Sequence, residues 1–265
     1  MTLFAILLGT LFAGVGSVWV AAALSFGVLV RYTQHMLSLA AGALLATAFM
    51  NLLPEAFSGD IGPDRLFMTL LVGLVFFFLL DKAELWHHGH EHGEHSHARA
   101  DERNHAHDHA HDHGPKSGGW AVLAGDSVHC FGDGVLIASA FMADLRLGVI
   151  ASLAVLVHEV PHHMGDLMVL RSSTTDRRAA LLKVSLAGSI TALGGLLGYW
   201  LVEQLTDYLP YFLVVASSSF MYVALADLIP QLQKRVEARH TAAQIAWLLG
   251  GIVLVTLVSH LAHQH

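Results

Sequence analysis

Charged residues are scarce in this chain. Of its 265 residues only 13% are Asp, Glu, Lys or Arg, whereas 54% are hydrophobic. Soluble globular domains carry about 25% charged residues, because a buried core needs a polar shell around it. The scarcity therefore excludes an ordinary water-soluble domain and favours a chain whose solvent is the lipid bilayer.

Cysteine and clustered basic residues are also lacking. Cys130 is the only cysteine, so an internal disulfide is excluded and the redox compartment is left open. No basic patch of the kind that binds nucleic acid is present, and we expect no nucleic-acid partner. No Lys or Arg precedes the first apolar run, which argues against a cleaved signal peptide and for a first helix that is retained.

Long apolar runs take up most of the chain. A helix needs about 20 mostly apolar residues to cross a bilayer. Eight stretches meet this requirement: 3–30, 36–57, 65–85, 120–141, 147–170, 179–202, 209–229 and 243–260. The runs predict an all-α, polytopic membrane protein with eight transmembrane helices, in a single domain that covers residues 1–265.

Lys and Arg residues predict the orientation, since they concentrate in cytoplasmic loops. If the N-terminus lies outside, only Arg65 and Arg146 of the 14 basic residues face outward. Eight spans then place both termini outside and the loop between the third and fourth spans in the cytoplasm. The short loops and small size favour a bacterial inner membrane.

That loop, residues 87–117, has a composition unlike the rest. It holds eleven histidines between His87 and His113, with acidic residues interleaved, and too few apolar residues to form a core. We expect it to be disordered without ligand. Neutral imidazole binds zinc, copper, nickel and iron, which indicates a weak cytoplasmic metal buffer or sensor. A solvated linker of biased composition is the alternative.

Ionisable residues within the spans are concentrated in the fourth and fifth. His129 and Asp133 are four residues apart, as are His158 and His162, so each pair shares one helix face. Facing each other, these four would form a roughly tetrahedral site for zinc or a similar ion, whereas a lone histidine would more simply bond a neighbouring helix. A second site would lie alongside. The expected metal ligands are His129, Cys130, Asp133, His158, Glu159, His162, His163 and Asp166.

Weaker signals come from other spans. Asn51 and Asp227 are candidates for lining an entry or exit, although Asp227 and Glu55 fit the membrane interface equally well. Pro161 should kink the fifth helix. Small residues in the sixth span favour close helix packing; they are Gly188, Ser189, Gly194, Gly195 and Gly198.

The fourth and fifth spans together resemble the ZIP (Zrt/Irt-like) family of metal transporters, in particular the branch with histidine-rich loops. The sequence HEVPHHMGD at residues 158–166 is similar to the family signature H-E-x-P-H-E-x-G-D, and HCFGDG at residues 129–134 is similar to H-N-x-x-D-G. The Leu-Leu-Pro-Glu of the second span and residues 222–230 of the seventh are also similar to the family.

The resemblance implies a fold and a function. The fold is a 3+2+3 bundle in which the first three and last three helices form an inverted repeat around the fourth and fifth. Family members import zinc, iron, manganese or cadmium, often through two adjacent metal sites, and many are dimers, which allows a homodimer here. Cys130 and His163 depart from the usual Asn and Glu, and these softer ligands should favour zinc, copper or cadmium over manganese.

The sequence thus predicts transport of a divalent transition metal, zinc first, into the cytoplasm, by a protein that is not an enzyme. Two alternatives remain. Residues 158–162 also match the H-E-x-x-H motif of zinc metalloproteases, in which the glutamate is the general base. The second alternative is efflux of the metal from the cytoplasm, because sequence alone does not determine the direction of transport.

Overall fold

The computed structural model describes residues 1–25, 33–89, 118–173, 177–232 and 238–262. Within these ranges the chain forms eight long helices, and no strand occurs among the described residues. The all-α prediction is therefore confirmed. The histidine-rich stretch from 90 to 117 lies outside the described residues, so the expectation of a disordered loop stays a prediction.

Each helix coincides with one predicted span. α1 comprises Thr2–Leu11, the π-helical Phe12–Gly16 and Ser17–Ser25. α2 comprises Thr33–Thr47, the π-helical Ala48–Leu52 and Leu53–Phe57. α3 is Pro63–Gly89, α4 is Gly118–Ala143, α5 is Leu145–Ser173 and α6 is Arg177–Gln204. α7 comprises Leu209–Tyr222, the π-helical Val223–Leu228 and Ile229–Leu232, and α8 is Ala238–Ala262.

Within the described residues, seven of these helices are long and apolar enough to cross a membrane. α4 has sufficient length, with 26 residues, and it carries Asp126, His129 and Asp133 among its apolar residues. Two of these polar side chains, His129 and Asp133, are ligands that the sequence predicts.

Two of the π-helical segments end two residues before a proline. Pro54 follows the segment in α2, and Pro230 follows the segment in α7. Proline lacks an N–H and its ring clashes with the carbonyl four residues earlier, which a wider turn relieves. α2 and α7 correspond to each other in the expected inverted repeat. Both therefore contain a π-helical segment followed by a proline.

A single residue connects α4 and α5. The Asp144 Oδ1 atom accepts hydrogen bonds from the backbone N–H of Arg146 at 2.8 Å and of Leu147 at 3.3 Å, so Asp144 is the N-cap of α5. The two helices run antiparallel from this turn. The polar residues of α4 therefore meet those of α5 in reverse chain order.

The helices pack in two groups. α1, α4 and α6 contact one another, and α2, α3, α7 and α8 form the second group; α5 contacts both groups, and α4 also contacts α7. Backbones approach closely within each group: a Cβ added at Gly134 of α4 would collide with the Thr191 carbonyl of α6, and one at Gly251 of α8 with the Leu39 carbonyl of α2. Such contacts are typical of membrane helices.

The packing role expected for the small residues of α6 holds for its glycines. Cβ atoms built at Gly188, Gly194 and Gly198 would each press on a neighbouring helix, while Ser189 is partly exposed and bonds its own helix at the Leu186 carbonyl.

Candidate metal centre

Buried ionisable side chains converge where α4 faces α5. The antiparallel arrangement pairs residue 133 with 158, residues 129 and 130 with 159, and residue 126 with 162 and 163. Seven of the side chains involved are almost fully buried: Asp126, Cys130, Asp133, His158, Glu159, His163 and Asp166. Because buried charge is costly unless it is paired or binds an ion, this convergence marks the functional region of the molecule.

The first group consists of His129, Asp133, His158 and Glu159, whose ligand atoms all lie within 4.8 Å of one another. The Glu159 Oε1 atom is 3.2 Å from the Nε2 atoms of both His129 and His158, and His158 Nε2 is also 3.2 Å from Asp133 Oδ2. Two imidazole nitrogens and two carboxylates from facing helices form a ligand set suited to zinc.

The second group consists of Asp126, Cys130, Glu159 and His163, all buried. Glu159 also belongs to this group, through its other oxygen: Oε2 lies 3.2 Å from His163 Nε2 and 3.7 Å from the Cys130 Sγ atom. The Glu159 carboxylate therefore connects the first group to the second, and the second adds a sulfur ligand.

The third group consists of Asp126, His162 and Asp166. His162 Nε2 lies 3.8 Å from Asp126 Oδ1. Asp126 is shared with the second group, as Glu159 is shared between the first and second. The three groups thus form a continuous row between α4 and α5.

Hydrogen bonds orient two of the histidine rings. Ser17 Oγ is 2.6 Å from the Gly14 carbonyl and 2.9 Å from His163 Nδ1. Since the single hydroxyl proton goes to the carbonyl, the ring Nδ1–H donates to Ser17, and Nε2 keeps its lone pair. His158 Nδ1 similarly lies 3.3 Å from the Ala154 carbonyl. Both rings therefore direct Nε2 toward carboxylate oxygens, which is repulsive unless a cation lies between them.

Several ligand atoms of the centre have no hydrogen-bond partner among the described residues. They are the buried atoms Asp126 Oδ2, Asp133 Oδ2, Glu159 Oε1, His163 Nε2 and Asp166 Oδ2. The 3.2 Å contacts of Asp133 Oδ2 and Glu159 Oε1 with histidine nitrogens lack the geometry of a hydrogen bond. Leaving such atoms unsatisfied is costly in a protein interior. A bound cation would satisfy them, which agrees with the geometry of the centre.

The structure places all eight residues predicted as ligands in this row, but it distributes them differently. His162 was expected beside His129, Asp133 and His158. It belongs instead to the third group, its ring stacked on that of His129 with centroids 5.5 Å apart, and Glu159 completes the first group. The cause is geometric: His162 is one helical turn beyond His158, opposite Asp126 rather than Asp133.

The expected ligand set omitted Asp126. It contributes to both the second and third groups. Its position four residues before Cys130, on the same helix face, was the signal that could have identified it.

The weaker candidates lie apart from this row. Asn51 is buried, and its Oδ1 accepts a hydrogen bond from Ser259 of α8 at 2.8 Å, so it joins α2 to α8. Glu55 is exposed near the end of α2, as an interfacial residue would be. The side chain of Asp227 lies outside the described residues.

Comparison with known proteins adds independent information. The model of the family described as ZIP Zinc transporter matches residues 83–259 of this chain. The match includes α4 and α5 and therefore the whole row of ligand groups.

Individual relatives bear zinc transporter names. The chain is 27% identical to zinc transporter ZIP13 of Pongo abelii over 280 residues, covering 96% of this chain and 77% of that protein. It is 29% identical to zinc transporter ZIP4 of Homo sapiens over 279 residues, covering 85% of this chain but only 43% of that protein. With zinc transporter ZIP10 of Homo sapiens it shares 33% identity over 149 residues, 56% of this chain and 17% of that protein.

Proposed function

The chain belongs to the ZIP zinc transporter family, and from that premise we propose that it carries zinc across a membrane into the cytoplasm through the row of ligands between α4 and α5. Family membership and the apolar helices together make it a multi-pass membrane protein that transports divalent metal. The route, the direction and the identity of the ligands are what we propose.

The first group is the observation that carries the proposal. Its four ligand atoms lie within 4.8 Å of one another on two facing helices. Two of them, Asp133 Oδ2 and Glu159 Oε1, are buried oxygens without a hydrogen-bond partner among the described residues. Two ionised carboxylates would balance the charge of one divalent cation, and two neutral imidazoles would complete a four-coordinate shell.

Zinc is the substrate in this scheme. It reaches the first group from the side of the two termini, exchanges water for the four ligands, and passes to the second group as Glu159 changes from one oxygen to the other. Transport need not involve ATP, since the sequence has no phosphate-binding glycine loop with a lysine.

Ligand chemistry favours zinc over harder ions. The second group includes the Cys130 sulfur and the His163 nitrogen, and soft ligands favour zinc, cadmium or copper over manganese. Iron(II) fits the first group, with its nitrogen and oxygen ligands, better than it fits the second.

The geometry disfavours the metalloprotease alternative. In an H-E-x-x-H protease both histidines bind one zinc ion and the glutamate acts on a water molecule. Here His158 belongs to the first group and His162 to the third, while both Glu159 oxygens face potential ligands. We therefore propose no enzymatic activity.

We further propose the orientation that the basic residues predict, with both termini outside, residues 87–117 in the cytoplasm, and the protein in a bacterial inner membrane. A homodimer is the assembly that the family resemblance allows. The expected 3+2+3 inverted repeat belongs with these proposals, supported by the matching π-helical segments and prolines of α2 and α7.

Zinc flux into proteoliposomes tests the proposal. The wild-type protein should accumulate zinc down its gradient, and His158→Ala should reduce the rate at least about tenfold, since it removes one of four ligands from a buried site. His240→Ala is the matched control, because His240 lies on α8 outside the three groups. Equal rates for wild type and His158→Ala would contradict the site.

The direction of transport needs a cellular measurement. Cells that overproduce the protein should gain zinc, and they should not gain it when they produce His158→Ala. A loss of cellular zinc on overproduction would instead establish efflux.

A further inference from the structure

The third group has the features of a metal site in its own right. It holds one imidazole and two carboxylates, contributed by Asp126, His162 and Asp166, with ligand atoms within 4.8 Å of one another. Three protein ligands leave a fourth position of a zinc ion open to water, whereas the first group supplies four. An ion in the third group would therefore be held less tightly and would exchange more readily.

Two buried oxygens point independently to a cation there. Asp126 is 3% exposed and Asp166 is 7% exposed. The Oδ2 atom of each is buried without a hydrogen-bond partner among the described residues. Two carboxylates so close together repel each other unless a cation or a proton neutralises one of them.

The position of the third group along the row gives it a role. α4 begins at Gly118, directly after the histidine-rich segment, and Asp126 is the ligand of α4 closest to that end. Asp166 is the last ligand along antiparallel α5. The third group is therefore the end of the row nearest the membrane face to which the histidine-rich segment is attached.

The third group contains the most exposed ligand of the row. The side chain of His162 is 41% exposed, compared with 29% for His129 and 3% for His158 in the first group, and all four residues of the second group are buried. Neighbouring groups share a carboxylate: Glu159 belongs to the first and second groups, and Asp126 to the second and third. An ion that moves along the row therefore meets a shared carboxylate at each transfer.

We propose that Asp126, His162 and Asp166 form a release site for divalent metal, where an ion from the second group is taken up by Asp126, regains water, and leaves toward the histidine-rich segment. This inference rests on the proposed transport function and adds a third, exchangeable site to it. It makes Asp166 and His162 ligands of the departing ion rather than of the tightly held one.

Alkylation of an introduced thiol tests binding at this site directly. In full-length protein with Cys130→Ala, which removes the native thiol, the His162→Cys substitution places a half-exposed sulfur in the third group. Cadmium alone should slow its reaction with a maleimide at least about tenfold, because the sulfur would bind the metal. Adding Asp166→Asn should abolish this protection, while gel filtration confirms that both variants are folded.

The control is Met168→Cys in the same Cys130→Ala background. Met168 is also on α5 and is 44% exposed, but it lies outside the three groups, so cadmium should leave its alkylation rate unchanged. The inference is overturned if cadmium fails to protect the thiol of His162→Cys, or if protection persists in the Asp166→Asn variant.

Zinc flux separates this inference from the proposed function. Asp166→Asn should slow zinc flux about tenfold, and Glu203→Gln, which neutralises an exposed acid on α6, should not. If wild type transports zinc and His158→Ala does not, but Asp166→Asn transports it at the wild-type rate, the release site is wrong and the transport function stands. If wild type transports no divalent metal, the proposed function itself is wrong.

Discussion

Glu159 is the residue on which the arrangement of ligands depends most. Its two oxygens face different groups, with Oε1 beside His129 and His158 and Oε2 beside His163. A carboxylate can bind two cations at once, so an ion can begin to bind the second group before it has left the first. A glutamine at this position would keep the shape but lose the charge on both sides.

Ser17 positions a ligand although it contacts no metal. It lies on α1 and accepts the Nδ1 proton of His163 at 2.9 Å. We expect Ser17→Ala to weaken zinc binding about 10- to 100-fold, the usual effect of losing the partner of a ligating histidine. Competition titration with a chelator measures the dissociation constant.

Two variants make the Ser17 experiment specific. Ser17→Thr should restore affinity, because it keeps the hydroxyl. Ser217→Ala removes an equally buried serine that bonds only its own helix, at the Leu213 carbonyl, and should bind zinc normally. Unchanged affinity in Ser17→Ala would contradict the positioning role.

Cys130 should determine the preference for soft metals. Its sulfur lies 3.8 Å from Asp126 Oδ1 and 3.7 Å from Glu159 Oε2, in the second group. Replacing it by a hard oxygen ligand in Cys130→Asn should lower the ratio of cadmium to manganese flux about tenfold. Parallel uptake assays with the two ions give this ratio, and a ratio equal to that of wild type would show that the second group does not select the metal.

At the scale of the helices, close backbone contact holds each packing group together. α2 and α8 approach so closely that neither Gly42 nor Gly251 has room for a Cβ atom, because a backbone carbonyl of the other helix occupies the space. Without a hydrophobic driving force between helices in lipid, such van der Waals contact is the main source of their association.

Two adjacent glycines of α8 provide a matched test of this packing. Gly251→Ala would press on the Leu39 carbonyl, whereas nothing lies within 4 Å of a Cβ at Gly250. We expect Gly251→Ala to lower the free energy of unfolding by about 1–3 kcal/mol through overpacking, and Gly250→Ala to leave it nearly unchanged. Thermal unfolding in detergent measures the difference, and equal midpoints would show that the two helices can separate without cost.

At the scale of the whole molecule, α5 connects the two packing groups. It contacts α1, α4 and α6 on one side and α2 and α8 on the other, and it carries five of the expected ligands. The ligand row therefore lies inside the molecule, between α4 and α5, and all its side chains except those of His129 and His162 are buried. This position explains how so many ionisable groups are tolerated at membrane depth.

The number of membrane crossings is open to a direct test. If α4 crosses along with the other seven helices, the connections at Asp60 and Asp207 lie on the same side of the membrane. In the Cys130→Ala background, Asp60→Cys and Asp207→Cys should then both react with an impermeant maleimide from outside the cell, and Ala100→Cys only in inverted vesicles. Labelling of Asp60→Cys and Asp207→Cys from opposite sides would mean that α4 does not cross.

The sequence by itself determined the helices and the kinds of ligand. Apolar runs about 20 residues long have one stable form in a bilayer, since only a helix satisfies every backbone hydrogen bond internally. All eight predicted spans therefore reappear as helices. The spacing of His129 with Asp133, and of His158 with His162, likewise places each pair on one face without reference to the rest of the chain.

Only the tertiary structure decided which side chains meet. The register between α4 and α5 follows from the turn at Asp144 and from contacts with α1 and α6, which no pattern within one helix contains. That register places His162 opposite Asp126, moves Glu159 into the first group, and brings Ser17 of α1 to His163. Periodicity fixes the face that a residue occupies, whereas packing fixes the residue that it faces.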